Sequence, residues 1–413
     1  MEWTPQQETA LKRVNDWLNG GYVQQQVFKL FGYAGTGKTT MAKELASGVE
    51  GPVFFGAYTG KAASVLRAKG CPGASTIHSM IYRSREKSRL ALKLLEQELV
   101  EARQLATHEG RDEATCPIVC KLAAEVEQER QRASGPVFDL NPDSPIRDAA
   151  LVVIDECSMV DGEMGEDLLS FGTPVLVLGD PAQLPPVMGG GFFTEDKNPD
   201  VMLTDIQRQA RDNPIIAMAA RVREGGELPI GKAGTSRVLE RGYRLDPQEV
   251  LAMDQLLVGK NTTRHGFNRR MRQLHERGGE FPVEGDKLVC LRNNHELGLL
   301  NGAQWTTVSS FNDEDGPDVT LEIRPIDATD ANEEPKVVNA HKAPFRGEKV
   351  DVWTRKDAEE FDFGYAMTCH KAQGSQWDNV LIVDESWVFR QDRNRWLYTA
   401  ITRAASSVTV LKT

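Results

Sequence analysis

The chain has 413 residues, of which 40% are hydrophobic and 26% are charged, and its formal net charge is −11. These values are typical of a folded protein with two or three compact domains, and the acidic balance argues against nucleic-acid binding by bulk charge, though not by a locally basic groove. No window reaches the roughly 18 apolar residues of a membrane span, and the polar start and six scattered cysteines predict a cytoplasmic protein with reduced thiols.

Short runs rich in Val, Ile and Leu recur along the chain and predict strands that are buried on both faces, as in parallel sheets. Helical stretches separate them, so the fold class is α/β, with one unit over about 1–205 and a second from about 206 onward. Polar motifs follow most of these runs, where the carboxyl ends of parallel strands place ligand-binding residues. The runs are 27–31, 53–58, 151–156, 174–180, 380–385 and 408–412.

The first of these runs leads into Gly32-x-x-x-x-Gly37-Lys38-Thr39, the spacing of a loop that wraps the phosphates of a nucleoside triphosphate. Glycines let the backbone N–H groups approach the anions, and the dipole of the following helix adds to the attraction. Lys38 is predicted to reach the β and γ phosphates of ATP, and Thr39 is predicted to bind Mg²⁺. The predicted nucleotide-binding set here is Gly32, Gly35, Thr36, Gly37, Lys38, Thr39 and Thr40.

Two carboxylates, Asp155 and Glu156, end the hydrophobic run "LVVIDE", where a buried charge is costly unless it has a task. Asp155 is predicted to hold Mg²⁺ and Glu156 to activate a water, which favours hydrolysis over phosphate transfer to an acceptor. Gln183 follows the run 174–180 and is placed to sense the γ phosphate.

Two regions interrupt the α/β pattern. Residues 83–147 carry apolar stripes at helical spacing and predict a helical hairpin, which is either a solvated insertion that packs on its neighbour or a wedge or partner-docking arm. Residues 280–350 contain short alternating runs between turn-rich segments and predict a small antiparallel β barrel. A third segment, 259–278, holds six Lys or Arg residues and one Glu, and fits a nucleic-acid path and a solvated helix face equally well.

The order of motifs resembles superfamily 1 helicases of the Dda and RecD branch. "VVIDECSMVD" is similar to their motif II and "LGDPAQLPPV" to their motif III. The stretches similar to motifs IV, V and VI are Leu203–Ile216, Gly364–Val380 and Leu397–Ala404.

This resemblance implies two RecA-like motor domains, over 1–82 with 148–205 and over 206–279 with 351–413. The first domain carries the helical insertion 83–147, and the second carries an SH3-like β insertion at 280–350. Relatives often have a small β-hairpin where this sequence looks helical and longer, so the element that splits a duplex is left open.

The resemblance also implies roles for single residues. Gln7 matches the adenine-reading position, Gly374 lies at the nucleotide, and Arg208 and Arg403 match two arginines that reach the γ phosphate from the second domain. A guanidinium supplied in this way acts as an arginine finger. The residues implied to contact a nucleic-acid strand are Thr59, Lys61, Thr76, His78, Thr368 and His370.

The activity implied is an ATP- and Mg²⁺-dependent DNA helicase that moves 5′ to 3′ on single-stranded DNA, in a bacterial or phage-infected cell. Its partners would be single-stranded DNA and duplex junctions, with a single-strand-binding, replication or recombination protein docking on 83–147, and it would work as a monomer. Alternatives are an RNA-directed motor or a translocase and remodelling ATPase of the same superfamily, and a P-loop kinase or nucleotide switch. Glu156, Gln183 and the two distal arginines argue against the last.

Overall fold

A computed structural model describes residues 3–84, 86–108, 116–133, 138–185, 191–194, 198–205, 213–294, 297–314, 316–326, 334–350 and 358–413. The chain divides into two compact units, one formed by Met1–Ile77 with Asp148–Thr413 and the other by His78–Arg147. The predicted insertion 83–147 falls inside the second unit, while the domain limits inferred from the sequence stay a prediction. Arg208 lies outside the described residues.

In the first half of the chain, helices and strands alternate as the apolar runs predict. The elements in chain order are α1 (Pro5–Leu18), β1 (Val27–Gly32), α2 (Lys38–Ser47), β2 (Val53–Ala57), α3 (Gly60–Ala68), β3 (Ser75–Thr76), α4 (Ile77–Ile81), β4 (Tyr82–Ser84), α5 (Glu86–His108), α6 (Pro117–Ala133), β5 (Phe138–Leu140), β6 (Leu151–Asp155), α7 (Gly162–Leu169), β7 (Val175–Gly179) and β8 (Val201–Leu203).

The second half is richer in strands. Its elements are α8 (Pro214–Arg223), β9 (Gly231–Ala233), β10 (Ser236–Leu239), α9 (Pro247–Leu251), β11 (Gln255–Val258), α10 (Asn261–Leu274), β12 (Lys287–Cys290), β13 (Gln304–Asn312), β14 (Asp318–Pro325), β15 (Lys336–His341), α11 (Ala343–Arg346), β16 (Phe361–Phe363), β17 (Ala366–Thr368), β18 (Trp377–Asp384), α12 (Arg393–Ile401) and β19 (Ala404–Lys412).

The first sheet is six-stranded, in the order β3-β2-β6-β7-β1-β8, and its neighbouring strands all pair in parallel. Its central strands β6 and β7 are buried along almost their whole length. Because β6, β7 and β1 are adjacent and parallel, the residues after their carboxyl ends lie at one edge of the sheet. The phosphate loop, the Asp155–Glu156 pair and Asp180 therefore meet there.

The second sheet is also six-stranded, in the order β17-β11-β18-β19-β10-β9. All of its pairs are parallel except the antiparallel pair of β9 with β10. Its first three strands are neighbours whose carboxyl ends share an edge, so the loop after β11, motif V after β17 and the turn after β18 are brought together.

The β structure predicted around 280–350 is present as a five-stranded antiparallel sheet in the order β15-β14-β13-β12-β16. Its fifth strand, Phe361–Phe363, lies past the expected bound at residue 350. Apolar side chains on one face, including Leu288, Trp305 and Leu321, share a core with Leu256 and Leu381 of the second sheet. An SH3-like barrel form stays a prediction.

The unit His78–Arg147 contains the helical hairpin that the apolar stripes predict. Helices α5 and α6 pack through buried Leu99, Ala106, Val119 and Val126. The short strands β4 and β5 pair antiparallel at the base of the hairpin. The unit therefore has its own small apolar core.

Among the helices that the structure describes, none combines the length and the apolar character that a membrane crossing needs.

Candidate nucleotide site and nucleic-acid contacts

The loop between β1 and α2 has the backbone that its glycines predict. Gly35 and Gly37 have φ of 80° and 81°, a left-handed region that a side chain disfavours. At Gly32, a Cβ would lie 2.6 Å from Thr36 Oγ1 and 2.8 Å from Leu203 Cβ, so no side chain fits without a shift. Helix α2 begins directly after Gly37, which directs its free N–H groups toward the loop.

Lys38 lies inside this loop. Its Nζ donates to the carbonyl oxygens of Gly32 at 2.6 Å and Tyr33 at 3.2 Å, so the loop backbone holds the ammonium group inside the loop. This is the cation that the motif predicts for the β and γ phosphates.

Thr39 and Asp155 are brought together as a metal pair would require. Thr39 Oγ1 donates to Asp155 Oδ2 at 3.1 Å, and Asp155 Oδ1 accepts the N–H of Glu156 at 2.8 Å. Burial raises the pKa of Asp155, the neighbouring Glu156 raises it further, and the Lys38 charge opposes both. A hydroxyl beside a buried carboxylate is an oxygen set that suits Mg²⁺, whose charge would offset the desolvation of Asp155.

Glu156 has a strained backbone and a partner from the second α/β domain. Its φ of 53° and ψ of 42° are left-handed, uncommon for a residue with a side chain. Arg403 Nη1 lies 3.7 Å from Glu156 Oε1, and the arginine side chain is only 7% exposed. Carbonyl oxygens of Thr399 and Ser375 also accept from this guanidinium. The predicted activating carboxylate and one predicted arginine finger thus face each other.

Tyr398, which sequence reasoning did not single out, joins the phosphate loop to motifs III and VI. Its hydroxyl donates to Asp180 Oδ2 at 2.6 Å and accepts the Ala34 N–H at 3.0 Å. Burial raises the pKa of both Asp180 and Tyr398. Close by, the Arg223 guanidinium lies 3.6 Å from the centre of the Tyr33 ring. The loop therefore contacts the second domain directly.

A cavity of about 460 Å³ lies between these groups. Gln183 lines it, and its Oε1 is buried with no hydrogen-bond partner in the described part of the chain. Gly374 also lines it with φ of 76°, and a Cβ there would lie 2.7 Å from Ala62 Cβ, so the second domain approaches α3 closely. The predicted residues on the wall are Gly35, Thr36, Gly37, Lys38, Thr39, Thr40, Asp155, Glu156, Gln183, Gly374 and Arg403.

Gln7 is placed beside the loop and does not line the cavity. Its Oε1 accepts the Thr4 N–H at 2.9 Å in a capping box of α1, and its Nε2 donates to the Thr36 carbonyl at 3.0 Å. Both ends of the buried amide are therefore occupied. The adenine-reading role of Gln7 stays a prediction.

In the first domain, Thr59 and Lys61 follow β2. Thr59 Oγ1 accepts the Ala62 N–H at 3.2 Å and so caps α3, while burial lowers the pKa of Lys61. Thr76 is buried in β3 beside Ala57. The cap holds the Thr59 hydroxyl oxygen in place and leaves its hydrogen able to donate. Contacts of these three residues with a nucleic-acid strand stay a prediction.

The other three residues predicted to contact a nucleic-acid strand lie on separate elements. Thr368 ends β17 in register with Val258, and the His370 ring lies 5.6 Å from the Phe389 ring. Burial lowers the pKa of His370, so the ring is kept neutral more readily than a free histidine. In the unit His78–Arg147, the His78 ring lies 4.8 Å from that of Tyr82.

The basic segment 259–278 is, as a whole, neither a nucleic-acid path nor a solvated helix face. Arg264 pairs with Asp362, and Arg272 lies 3.1 Å from Asp286 while donating to three carbonyl oxygens. Both arginines are buried. These side chains hold α10 to the β12–β16 region, and Asp362 is too far from Arg264 along the sequence for a local pattern to reveal.

A phosphate loop, an Asp-Glu pair and an arginine from a second parallel-sheet domain are the parts of a P-loop nucleotide site between two RecA-like domains. Residues 4–242 match the AAA domain family, and residues 363–411 match the UvrD-like helicase C-terminal domain. The chain belongs to the AAA domain family.

Three known proteins are similar to this chain. The ATP-dependent RecD2 DNA helicase of Deinococcus radiodurans is 28% identical over 279 residues, which cover 62% of this chain and 35% of that protein. The chain thus spans about a third of the length of this curated relative. A structure of Bacteroides Pif1 bound to single-stranded DNA has a TM-score of 0.51 at 18% identity, covering 99% of this chain and 92% of that one. Pif1 helicase of Candida albicans gives 0.50 at 16% identity, covering 100% and 95%. The two-domain fold is shared with these proteins.

Proposed function

We propose that this protein is an ATP-dependent DNA helicase that moves 5′ to 3′ along single-stranded DNA and unwinds duplex. The observation that carries the proposal is the 3.7 Å approach of Arg403 to Glu156 across the cleft between the two parallel sheets. An arginine supplied by one domain to the hydrolytic carboxylate of another couples ATP turnover to cleft closure, as a motor requires.

The residues around the cavity divide the work of hydrolysis. Lys38 and the loop N–H groups bind the phosphates, and Arg403 stabilises the charge that develops on the γ phosphate. Glu156 accepts a proton from the attacking water, and the unpaired Oε1 of Gln183 accepts its second hydrogen bond. Thr39 and Asp155 would hold Mg²⁺, which supplies charge neutralisation on the β and γ phosphates when it is bound.

Coupling between the domains depends on one short stretch of the chain. Tyr398 contacts the phosphate loop through the Ala34 N–H and motif III through Asp180, and Arg403 follows five residues later beside Glu156. A change in the phosphate loop is therefore transmitted directly to motif VI. Opening and closing of the cleft would then shift the nucleic-acid contacts of the first domain relative to those of the second.

We assign the contacts with the nucleic-acid strand to both domains. Thr59 and Lys61 follow β2 of the first sheet, while Thr368 ends β17 of the second sheet and His370 follows it. Hydroxyl, ammonium and imidazole donors suit phosphate contacts, which position a strand without reading its sequence. The Bacteroides Pif1 structure with single-stranded DNA supports DNA as the polymer, and the branch supports 5′-to-3′ polarity. Residues 83–147 would act as the wedge at a duplex junction or dock a partner protein.

The test is steady-state ATPase activity with no polymer, with single-stranded DNA and with RNA, followed by unwinding of duplexes that carry a 5′ or a 3′ tail. We expect strong stimulation by DNA and unwinding from the 5′ tail alone, with Lys38→Ala as the inactive control. Stimulation by RNA equal to that by DNA would favour an RNA-directed motor. Stimulation by neither polymer would reject the motor.

A further inference from the structure

An exposed tryptophan follows strand β18. Trp387 lies in the turn Ser386–Asp392, and 57% of its surface is exposed, although large aromatic side chains are normally mostly buried. Its neighbour Val388 is 38% exposed. An exposed aromatic ring at a rigid position is a feature of binding surfaces, because it offers a large contact area at little cost in conformational entropy.

The position of Trp387 follows from the order of the strands. Strand β11 lies between β17 and β18, with Val258 beside Thr368 and Leu257 beside Ile382. The three strands are parallel, so the turn with Trp387 leaves the same edge of the sheet as Thr368 and the loop after β11. His370 and this turn are linked directly, since the His370 and Phe389 rings are 5.6 Å apart.

Glu385 fixes the turn to the loop after β11. Its carboxylate accepts the N–H groups of Gly259 and Lys260, each at 2.9 Å, and the hydroxyl of Thr263 at 2.7 Å. Its side chain is only 5% exposed. Three hydrogen bonds to one buried carboxylate make the two segments a single rigid platform.

The tryptophan ring itself is held with a cation over it. Trp387 Nε1 donates to Thr413 Oγ1 at 3.2 Å, which fixes one edge of the indole. Lys260 Nζ lies 5.2 Å from the ring centre and 2.9 Å from Glu385 Oε1. This is within the range of a cation–π contact. An open π surface beside an ammonium group is the chemistry that binds an unpaired base together with its phosphate.

We propose that Trp387 stacks on a base of the single-stranded nucleic acid and that Lys260 contacts the adjoining phosphate. This site extends the path of the nucleic-acid strand past Thr368 and His370. The proposal rests on the proposed function. It adds a base contact to a set of residues otherwise suited to phosphates, and it raises affinity without strong sequence preference, because every base has a π face.

The experiment compares the wild type with Trp387→Ala, Trp387→Phe and Phe311→Ala in binding two oligomers of equal length, an oligo(dT) and an abasic phosphodiester. Phe311 is the matched control, since it is 71% exposed on β13. We expect Trp387→Ala to weaken binding to oligo(dT) by about tenfold, from the usual strength of one aromatic–base stack, and to leave abasic binding unchanged. Trp387→Phe should retain most of the affinity, and Phe311→Ala should match the wild type.

The abasic oligomer separates stacking from a structural effect. If Trp387→Ala loses affinity equally for both oligomers, or for neither, the stacking assignment is overturned. The proposed function stays intact in that case, as long as the wild type binds oligo(dT). A wild type that binds neither oligomer would overturn the proposed function and the stacking site together. ATPase activity without DNA, measured for each variant, reports whether the nucleotide site is still folded.

Discussion

Replacement of Tyr398 by phenylalanine removes one oxygen atom and two hydrogen bonds between the domains. The hydroxyl donates to Asp180 at 2.6 Å and accepts the Ala34 N–H at 3.0 Å. A hydrogen bond to a charged group contributes about 1.5–3 kcal/mol and a neutral one about 1 kcal/mol. We therefore expect Tyr398→Phe to lower the free energy of unfolding by about 2–4 kcal/mol at pH 7, measured by urea unfolding.

The effect should depend on pH in a defined direction. Burial raises the pKa of Asp180, and the Tyr398 hydrogen bond opposes that rise by stabilising the carboxylate. A carboxyl group whose folded pKa is raised contributes stability at low pH and loses it as the pH rises through that pKa. Without the hydroxyl, the pKa of Asp180 rises further, so the destabilisation should be smallest near pH 4 and grow toward pH 8.

A double-mutant cycle with Asp180→Asn isolates the pair. We expect a coupling free energy of about 1–2 kcal/mol, because the asparagine keeps an acceptor but removes the charge that strengthens the bond. A coupling near zero, or a Tyr398→Phe effect that is constant from pH 4 to pH 8, would refute the assigned contact.

Four further changes test the rest of the site. Lys38→Ala should reduce ATP hydrolysis by at least about 100-fold, since it removes the cation in the phosphate loop; ATPase assays measure this. Arg403→Ala should reduce turnover by about a thousandfold while ATP binding, measured by calorimetry, changes little. Wild-type affinity for single-stranded DNA should rise as the pH falls below 6.5, where His370 with its lowered pKa gains a proton, and His370→Gln should remove that rise. Deletion of 86–132 should spare DNA-stimulated ATPase activity and weaken unwinding of tailed duplexes, if the hairpin is the wedge.

Matched controls make these outcomes specific. Arg395→Ala, in the helix that precedes Arg403 and with a 42% exposed side chain, should keep wild-type turnover. Wild-type turnover in Arg403→Ala itself would contradict a site shared by two domains. A DNA affinity that does not change with pH would separate His370 from the phosphates, and unwinding that survives the deletion would assign the hairpin to partner docking.

The parts of the site that the sequence predicts are those whose chemistry is encoded locally. The spacing from Gly32 to Thr39 determines the loop, and the hydrophobic strand before Asp155 determines where the carboxylates emerge. Arg403 needed the family resemblance, because no local pattern separates an arginine finger from a surface arginine. The helical stripe of 83–147 was readable from its apolar spacing alone.

Contacts between distant segments were not predictable in the same way. Tyr398 and Asp180 are 218 residues apart, and Arg264 and Asp362 are 98 apart, so no periodicity joins them. The basic segment 259–278 shows the consequence, since two of its arginines, Arg264 and Arg272, are buried and hold α10 to the β12–β16 region. A buried ion pair needs both partners, and only the fold identifies the second one.

The amide of Gln7 has a mechanical consequence for the first helix. One side chain closes the capping box of α1 and supports the Thr36 carbonyl in the phosphate loop, almost thirty residues away. The amino-terminal turn of α1 therefore supports the phosphate loop. Replacement of Gln7 by alanine would leave the sequence Gly32–Thr39 unchanged and yet remove a support of the loop that this sequence encodes.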